Sequence, residues 1–407
     1  MIILEIDNVK QIENAKKMLE EIVHETPLEY NTTFSEFSGN QIYLKLENLQ
    51  KTGSFKVRGA FNKIMKLSEN ERKKGVIAAS AGNHGQGVAL AAKKSGIKSI
   101  IVVPKGTPII KIQAIKSYDA EVIEFGKSFD EAYQKALEIQ KEKDMTFIEP
   151  FNDMDIIIGQ GTIGLEILKQ MPDVDIIVVP IGGGGIISGI ALYCKAVNPK
   201  IKIIGVQSEG VKTLYHSFKK GKFEIPEIKD TIAEGIAVKR PGDITFEIIK
   251  NNVDDIVTVN DEEIANAILM LMERAKLIVE GAGAVPLAAI LNNKIAAKDK
   301  KIVLVLSGGN IDVSLISRII LKGLIKAGRL LKFRTKIKDI PGSLSKLLMI
   351  IAKEGGNIIT IEHNRAKIDL PFKEAEIEVD LETRDHVHIS KILNRLKKEK
   401  YDIIVEI

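Results

Sequence analysis

Residues 175–196 read DIIVVPIGGGGIISGIALYCKA. An Ile/Val run without polar alternation is the pattern of a strand buried on both faces, as in parallel sheets covered by helices. Four glycines follow, and apolar residues then recur at helical spacing over 186–196. Glycine lets backbone N–H groups crowd around a ligand, and a helix start adds partial positive charge. A flexible turn is the plainer reading of a glycine pair. Four glycines at a strand-to-helix junction favour a phosphate cradle.

The same punctuation extends in both directions. Short β-rich runs at 42–46, 75–79, 99–103, 121–125, 175–179, 203–207, 256–259 and 301–306 alternate with amphipathic stretches. One of these, 262–279, places Ile264, Ile268, Leu271, Ala275 and Ile278 at helical spacing. Strand–helix–strand repetition predicts an open, mostly parallel α/β sheet, with ligands bound beyond the C-terminal strand ends. The pattern changes near 322–332. Strand 331–337, helix 342–354, strands 357–363 and 374–380, helix 386–399 and strand 402–407 then give the βαββαβ order of a ferredoxin-like fold. The reading is a catalytic region over 1–325, its smaller subdomain at about 50–150, and a second domain over 326–407.

Composition narrows the function. The chain has 407 residues, 45% hydrophobic and 28% charged, as ordinary globular proteins have. Its net charge of +5 is not gathered into a block: residues 331–407 carry 15 basic and 13 acidic side chains. Without Trp, and with 5% aromatic residues, little is available to stack on bases, so no nucleic-acid partner is expected. No apolar run reaches spanning length, and the first residues lack a signal-peptide pattern, so no membrane partner is expected either. The single Cys194 suits a reducing cytoplasm.

Four polar or glycine-rich clusters lie just beyond expected strands: 52–60, 80–87, 182–185 and 307–310. A dinucleotide site competes for the third, since Glu209 sits 24 residues beyond Gly185, where a ribose-binding acid could stand. No G-x-G-x-x-G register fits, because the last glycine would fall on Ile187 or Ser188. A lone phosphate is favoured. In the first cluster Lys56 opens a helix, whose N-terminus disfavours the ammonium and so promotes Schiff-base chemistry. Taken alone, Lys56 reads as a surface lysine; its neighbours argue otherwise.

Ser54-Phe55-Lys56-Val57-Arg58-Gly59-Ala60, Ser80-Ala81-Gly82-Asn83-His84-Gly85-Gln86-Gly87, Gly182-Gly183-Gly184-Gly185 and Ser307-Gly308-Gly309-Asn310 together resemble the threonine/serine dehydratases. These belong to the tryptophan-synthase-β-like group of pyridoxal-phosphate enzymes, fold type II. Residues 231–238 and 280–284 fit the same family, and the match runs in order over about 15–325.

The resemblance implies roles. Lys56 would hold the cofactor, pyridoxal 5'-phosphate, and take the substrate Cα proton; Phe55 would pack beside the pyridine ring. Asn83 would bond the ring hydroxyl, Gly182, Gly183, Gly184 and Gly185 the phosphate, and Gly235 would approach through its backbone. Ser80, Ala81, Gly82, Asn83 and His84 would surround the substrate carboxylate. Ser307 would face the pyridine nitrogen, where a hydroxyl limits charge delocalisation into the ring and suits elimination. The implied reaction is dehydration and deamination of L-threonine to 2-oxobutanoate, and of L-serine to pyruvate. A β-replacement synthase of the cysteine-synthase kind and a serine racemase are rivals on the same fold. The racemases carry serine where this chain has Ala81, and threonine synthases have aspartate at Val57. Choosing between threonine and serine turns on one methyl group, about 1–3 kcal/mol in a pocket.

No metal site is expected. His24, His216, His363, His386 and His388 do not continue into a third ligand. Glu209 lies where related racemases bind a cation, but the companion position holds Tyr215. Glu234 and Glu280 fall near the motifs without an assignable role.

Asp339-Ile340-Pro341-Gly342-Ser343-Leu344 and Gly356-Asn357-Ile358 resemble ACT domains, regulatory modules that bind amino acids. The resemblance implies an effector site at Asp339, Pro341, Gly342, Ser343, Leu344, Asn357 and Ile358. Isoleucine or another branched amino acid would bind there, in a homodimer or homotetramer. An oligomerisation module without an effector is the plainer alternative.

Overall fold

In chain order the strands are β1 Leu28–Tyr30, β2 Gln41–Lys45, β3 Val76–Ala79, β4 Ser99–Val103, β5 Glu121–Glu124, β6 Thr146–Phe147, β7 Ile176–Pro180, β8 Lys202–Ser208, β9 Asp255–Val259, β10 Lys301–Val305, β11 Leu330–Lys338, β12 Asn357–Asn364, β13 Glu374–Glu382 and β14 Ile403–Glu406. This computed structural model describes residues 2–368 and 370–406. The expected last strand therefore ends at Glu406, and Ile407 lies outside the described residues.

The larger sheet has the order β1-β2-β10-β7-β8-β9, parallel except that β1 runs antiparallel to β2. The smaller has the order β5-β4-β3-β6 and is wholly parallel. Every residue of β3, β4 and β7 is buried, which is why these strands read as unbroken apolar runs. Two strands escaped the sequence reading: β1 with three residues and β6 with two are too short to show a period.

The stretch expected as one helix over 262–279 is a helix at Asp261–Met270, a π-turn at Leu271–Ala275, and a stop. Lys276 adopts a left-handed conformation (φ 60°) and its N–H bonds back to the Leu271 carbonyl, which ends the helix although apolar spacing continues.

The helix Lys56–Met65 is anchored by a buried ion network. The Arg58 guanidinium donates to Glu47 Oε1 at 2.7 Å and Oε2 at 2.8 Å, and to Glu166 Oε1 at 2.7 Å and Oε2 at 2.9 Å. Lys45 and Lys16 add bonds to Glu166 at 2.7 and 2.8 Å. Removing charges from water is costly, and only near-complete pairing makes such a cluster tolerable.

The chain divides into compact units at 1–311 and 312–407. The second begins before the boundary at 326 suggested by the change in pattern, because the helix Val313–Lys326 packs beside β11. In this unit the strands lie antiparallel in the order β12-β13-β11-β14. The helices Ser343–Lys353 and His386–Lys398 cover one face, burying Phe333, Leu347, Ile351, Val379, Ile392 and Leu396. Among the described residues no helix is long and apolar enough to cross a membrane.

Candidate active site

The loops after β2, β3, β7 and β10 carry the four motif clusters. Two of them are stitched together directly. Ser54 and Gly308 form an antiparallel bridge, the Phe55 N–H donates to the Ser307 carbonyl at 3.1 Å, and the Gly309 N–H donates to the Gly53 carbonyl at 2.8 Å. Phe55 and Ser307 are both buried at this seam.

Lys56 begins its helix, and its Nζ donates to the Pro150 carbonyl at 2.9 Å, 5.3 Å from the centre of the Phe55 ring. Burial pushes its pKa down to about 8, against the opposite pull of the Glu280 carboxylate. The helix start acts in the same direction as burial. His84 is buried; burial and the Lys56 charge push its pKa down to about 3, so the ring is neutral. Its Nε2 lies 2.8 Å from the Ile148 carbonyl, an acceptor, which assigns the proton to Nε2 and leaves Nδ1 bare.

The helix Asn83–Lys94 starts beside Lys56, and a Cβ at Gly87 would come within 3.0 Å of the Lys56 carbonyl carbon. Its N-cap, Gly82, has no side chain to bond the first-turn N–H groups, which stay available to an anion. The Gly82 N–H itself donates to Ser80 Oγ at 3.2 Å. Ala81 packs against the core of the smaller sheet.

Glycines 182–185 form the cradle. Gly184 has φ +96° and caps the helix Gly185–Val197 without a side-chain bond. A Cβ at Gly183 would run into the Phe151 ring, at Gly184 it would lie 2.8 Å from Thr245 Cβ, and at Gly182 3.0 Å from Ile236 Cα. These glycines let neighbours close around the loop from outside. Thr245 Oγ1 donates to the Gly183 carbonyl at 2.6 Å, while the N–H groups of Gly182, Gly183, Gly184 and Gly185 have no protein acceptor among the described residues. Gly235 lies against the same loop, its carbonyl 3.4 Å from where a Gly182 Cβ would stand.

Two residues singled out without a role are joined to Asn83: Asn310 donates to Asn83 Oδ1 at 2.7 Å and to the Thr52 carbonyl at 2.8 Å, and Asn83 Nδ2 donates to Glu280 Oε1 at 2.7 Å. Pro150, Phe151 and Thr245 were not found from the sequence. Pro150 and Phe151 follow β6, so the rule of C-terminal strand ends would have found them had a two-residue strand been readable. Glu234 contacts Lys111 at 3.4 Å. Glu209 is exposed, and among the described residues no three His, Cys, Asp or Glu side chains gather to hold a metal ion.

In the second unit the expected effector residues divide between two places. Asp339, Pro341, Gly342, Ser343 and Leu344 lie at the start of the helix Ser343–Lys353. Asn357 and Ile358 open β12 at the other end of the sheet, Asn357 level with Leu330 through Glu382, because β12 begins only after that helix has run back along the strands. Gly342, with φ +89°, is the uncapped N-cap of Ser343–Lys353, preceded by exposed Pro341. Leu344, in the first turn of that helix, packs against the core of this unit, and Ile358 joins the same core from β12. Asp339 pairs with Arg365 at 3.1 Å, and Asn357 donates to Glu382 at 3.1 Å.

An amine of depressed pKa, a ring of unsatisfied N–H groups at a helix start, and a buried hydroxyl at Ser307 fit the aldehyde, phosphate and pyridine of pyridoxal phosphate. Comparison with known proteins agrees. The family described as pyridoxal-phosphate dependent enzyme matches residues 19–308, and the ACT domain family matches 333–400. An L-threonine ammonia-lyase of Thermotoga maritima is 52% identical over 395 residues, covering 97% of this chain and 98% of that protein. The structure of the processed form of threonine deaminase isoform 2 from Solanum lycopersicum aligns with a TM-score of 0.75 at 38% identity, covering 79% of this chain and 88% of that one. Maize serine racemase aligns at 0.73 and 36% identity, covering 78% of this chain and 98% of that one. The chain belongs to the family of pyridoxal-phosphate dependent enzymes and carries an ACT domain behind its catalytic region.

Proposed function

We propose that this enzyme is a threonine ammonia-lyase, converting L-threonine to 2-oxobutanoate and ammonia and L-serine to pyruvate and ammonia. The observation that carries the reading is Lys56, an enclosed amine whose pKa burial pushes down to about 8. It stands beside the Ser307 loop bridged through Ser54 and Gly308, the Asn83 helix start held by Asn310, and Pro150, whose neighbour Phe151 packs on Gly183 of the phosphate cradle. When bound, pyridoxal phosphate supplies an aldehyde for the lysine and substrate amines and a sink for the electron pair left at Cα.

The chain's own groups do the rest. Gly182, Gly183, Gly184 and Gly185 would hold the phosphate through N–H groups at a helix start. Asn83 would bond the ring hydroxyl, Phe55 would flank the ring, and Gly235 would close the site through its backbone. Ser307 would meet the ring nitrogen with a hydroxyl, not a carboxylate. The first-turn N–H groups at Asn83 and His84, with Ser80, Ala81 and Gly82, would bind the substrate carboxylate and orient Cα toward Lys56. Lys56 would take the Cα proton; the electron pair left at Cα would form a Cα–Cβ double bond as the Cβ–O bond breaks, and the departing hydroxyl would leave as water with a proton returned from the site. Water then replaces the amine as ammonia.

Beside β-replacement, racemisation is a rival, because a serine racemase shares the fold. Racemising requires a second proton donor opposite Lys56, and Ala81 has none to give. The deciding experiment supplies purified enzyme with pyridoxal phosphate, then L-threonine. A visible absorbance band and 2-oxobutanoate, both lost in Lys56→Ala, support the reading. A band without oxo acid moves the assignment to β-replacement, and no band overturns it.

The second unit carries a regulatory proposal: a branched amino acid, isoleucine first, binds at the Gly342 helix start and shifts activity in a homodimer or homotetramer. Isothermal titration with the full chain and sedimentation test the two parts. The buried free thiol of Cys194 supports a reducing, cytoplasmic setting.

A further inference from the structure

Glu280 carries no role in the account above, yet the fold makes room for it. Its carboxyl lies in a slot that two motif glycines keep open: a Cβ at Gly308 would come within 2.5 Å of Oε1, and one at Gly235 within 3.3 Å. Its backbone is fixed, the N–H donating to the Gly308 carbonyl at 3.0 Å. Glu280 is also the N-cap of the helix Gly281–Leu291, a position from which shorter polar side chains bond their own helix. Here it makes no such bond and turns to Asn83 Nδ2, 197 positions away, at 2.7 Å.

That contact completes a directional chain. Asn310 uses one amide hydrogen on the Thr52 carbonyl and the other on Asn83 Oδ1. The Asn83 oxygen is thereby engaged, and its amide cannot flip without losing two bonds. One of its two N–H groups goes to Glu280, and one remains. We propose that Glu280 is a positioning residue, which orients the Asn83 amide so that its remaining N–H meets the ring hydroxyl of the cofactor. This rests on the reading of Asn83 as the partner of that hydroxyl.

The arrangement has a pH consequence. Burial pushes the Glu280 pKa up to about 7; the Asn83 bond, Lys111 and Lys56 lower it, and Glu234 raises it. These groups face it from the helices Asn83–Lys94, Ile109–Lys116 and Lys56–Met65 and from the turn at Glu234–Ile236. As a carboxylate, Glu280 pulls on the Asn83 N–H; once protonated it is a weaker acceptor, and the bond to the cofactor changes with it.

The test is titration of cofactor-stripped enzyme with pyridoxal phosphate, read by visible absorbance from about pH 6 to about pH 9. Glu280→Ala should weaken binding about tenfold, and adding it to Asn83→Ala should cost nothing more, since both act through one bond. Glu280→Gln keeps an acceptor oxygen and should bind within about twofold of the wild type, while losing the wild-type spectral change near neutrality. Should Glu280→Ala not fold, the spectrum of Glu280→Gln still decides. Losses that multiply in the double variant, or a wild-type spectral titration in Glu280→Gln, overturn the proposal. Wild-type enzyme that binds no cofactor overturns the Lys56 reading and this assignment together; normal wild-type binding with unaffected variants overturns the assignment alone.

Discussion

Arg58 grips Glu166 through two hydrogen bonds, Nη1 to Oε1 at 2.7 Å and Nη2 to Oε2 at 2.9 Å, with both side chains fully buried. Arg58 lies one helical half-turn beyond Lys56, so this pair fixes the element on which the reactive amine stands. Arg58→Met should destabilise the fold by about 3–5 kcal/mol, the cost of leaving Glu47 and Glu166 buried without their main partner. Urea unfolding of the variant checks the size. The same pair predicts acid sensitivity. Burial alone would raise the Glu166 pKa, but Arg58, Lys45 and Lys16 outweigh it and hold it well below its ordinary 4.5. A carboxyl depressed by folding contributes stability above its unfolded pKa and loses it as the pH falls toward the folded value. Unfolding free energies should therefore drop below about pH 4.5 in the wild type, and less steeply in Glu166→Gln.

Gly183 and Phe151 give a second test. A methyl at Gly183 would collide with the flat of the ring, which cannot bend aside as a flexible chain end could. Gly183→Ala should cost about 1–3 kcal/mol of stability by overpacking and weaken binding of pyridoxal phosphate. Phe151→Leu in the same chain should recover part of both losses, because the obstruction is the ring. Paired cofactor titrations and thermal unfolding of the single and double variants measure it. A Gly183→Ala loss that Phe151→Leu leaves untouched would place the fault in the backbone.

How far the sequence could be read depended on whether a signal was local. The unalternated run at β7 and the glycines behind it are contiguous, so strand, cradle and helix were legible together. Lys56, Asn83 and Ser307 stood in short motifs at strand ends. Glu280 and Asn83 meet across 197 positions, and their pairing depends on space left by Gly235 and Gly308, which no linear pattern shows. Arg58, Glu47, Glu166 and Lys45 read as ordinary charges until the fold buried them together. At Lys276 a left-handed residue stopped a helix while the apolar spacing ran on. Periodicity records which face is buried, not where a backbone turns.

Ala81→Ser tests the reaction's stereochemical outcome. Ala81 follows Ser80, beside the uncapped helix start proposed for the substrate carboxylate. The serine racemases that the chain resembles carry serine here, and on that resemblance a hydroxyl at this position would add a proton donor on the face opposite Lys56. Positioned general acids typically contribute about 10²–10⁴-fold, so racemisation of L-serine should rise by roughly 10²-fold while dehydration persists. Chiral chromatography of residual serine, with pyruvate assayed in parallel, separates the two. Unchanged D-serine formation would mean that the hydroxyl is not aligned with Cα.

Cofactor loading reports on Lys56 itself. Only its neutral amine attacks an aldehyde, and burial brings its pKa down to about 8 from 10.5. The rate at which stripped enzyme develops the visible band should therefore climb about tenfold per pH unit below pH 8 and level off above it. A lysine in water would keep gaining well beyond pH 9, near its ordinary value of about 10.4. Glu280 supplies the sign of a further effect. Its carboxylate stabilises the Lys56 ammonium and holds that pKa up, so Glu280→Gln should shift the plateau to lower pH. Rates that rise without a plateau would show that Lys56 keeps the solvation of a surface lysine. A plateau moving upward in Glu280→Gln would reverse the electrostatic relation between the two residues.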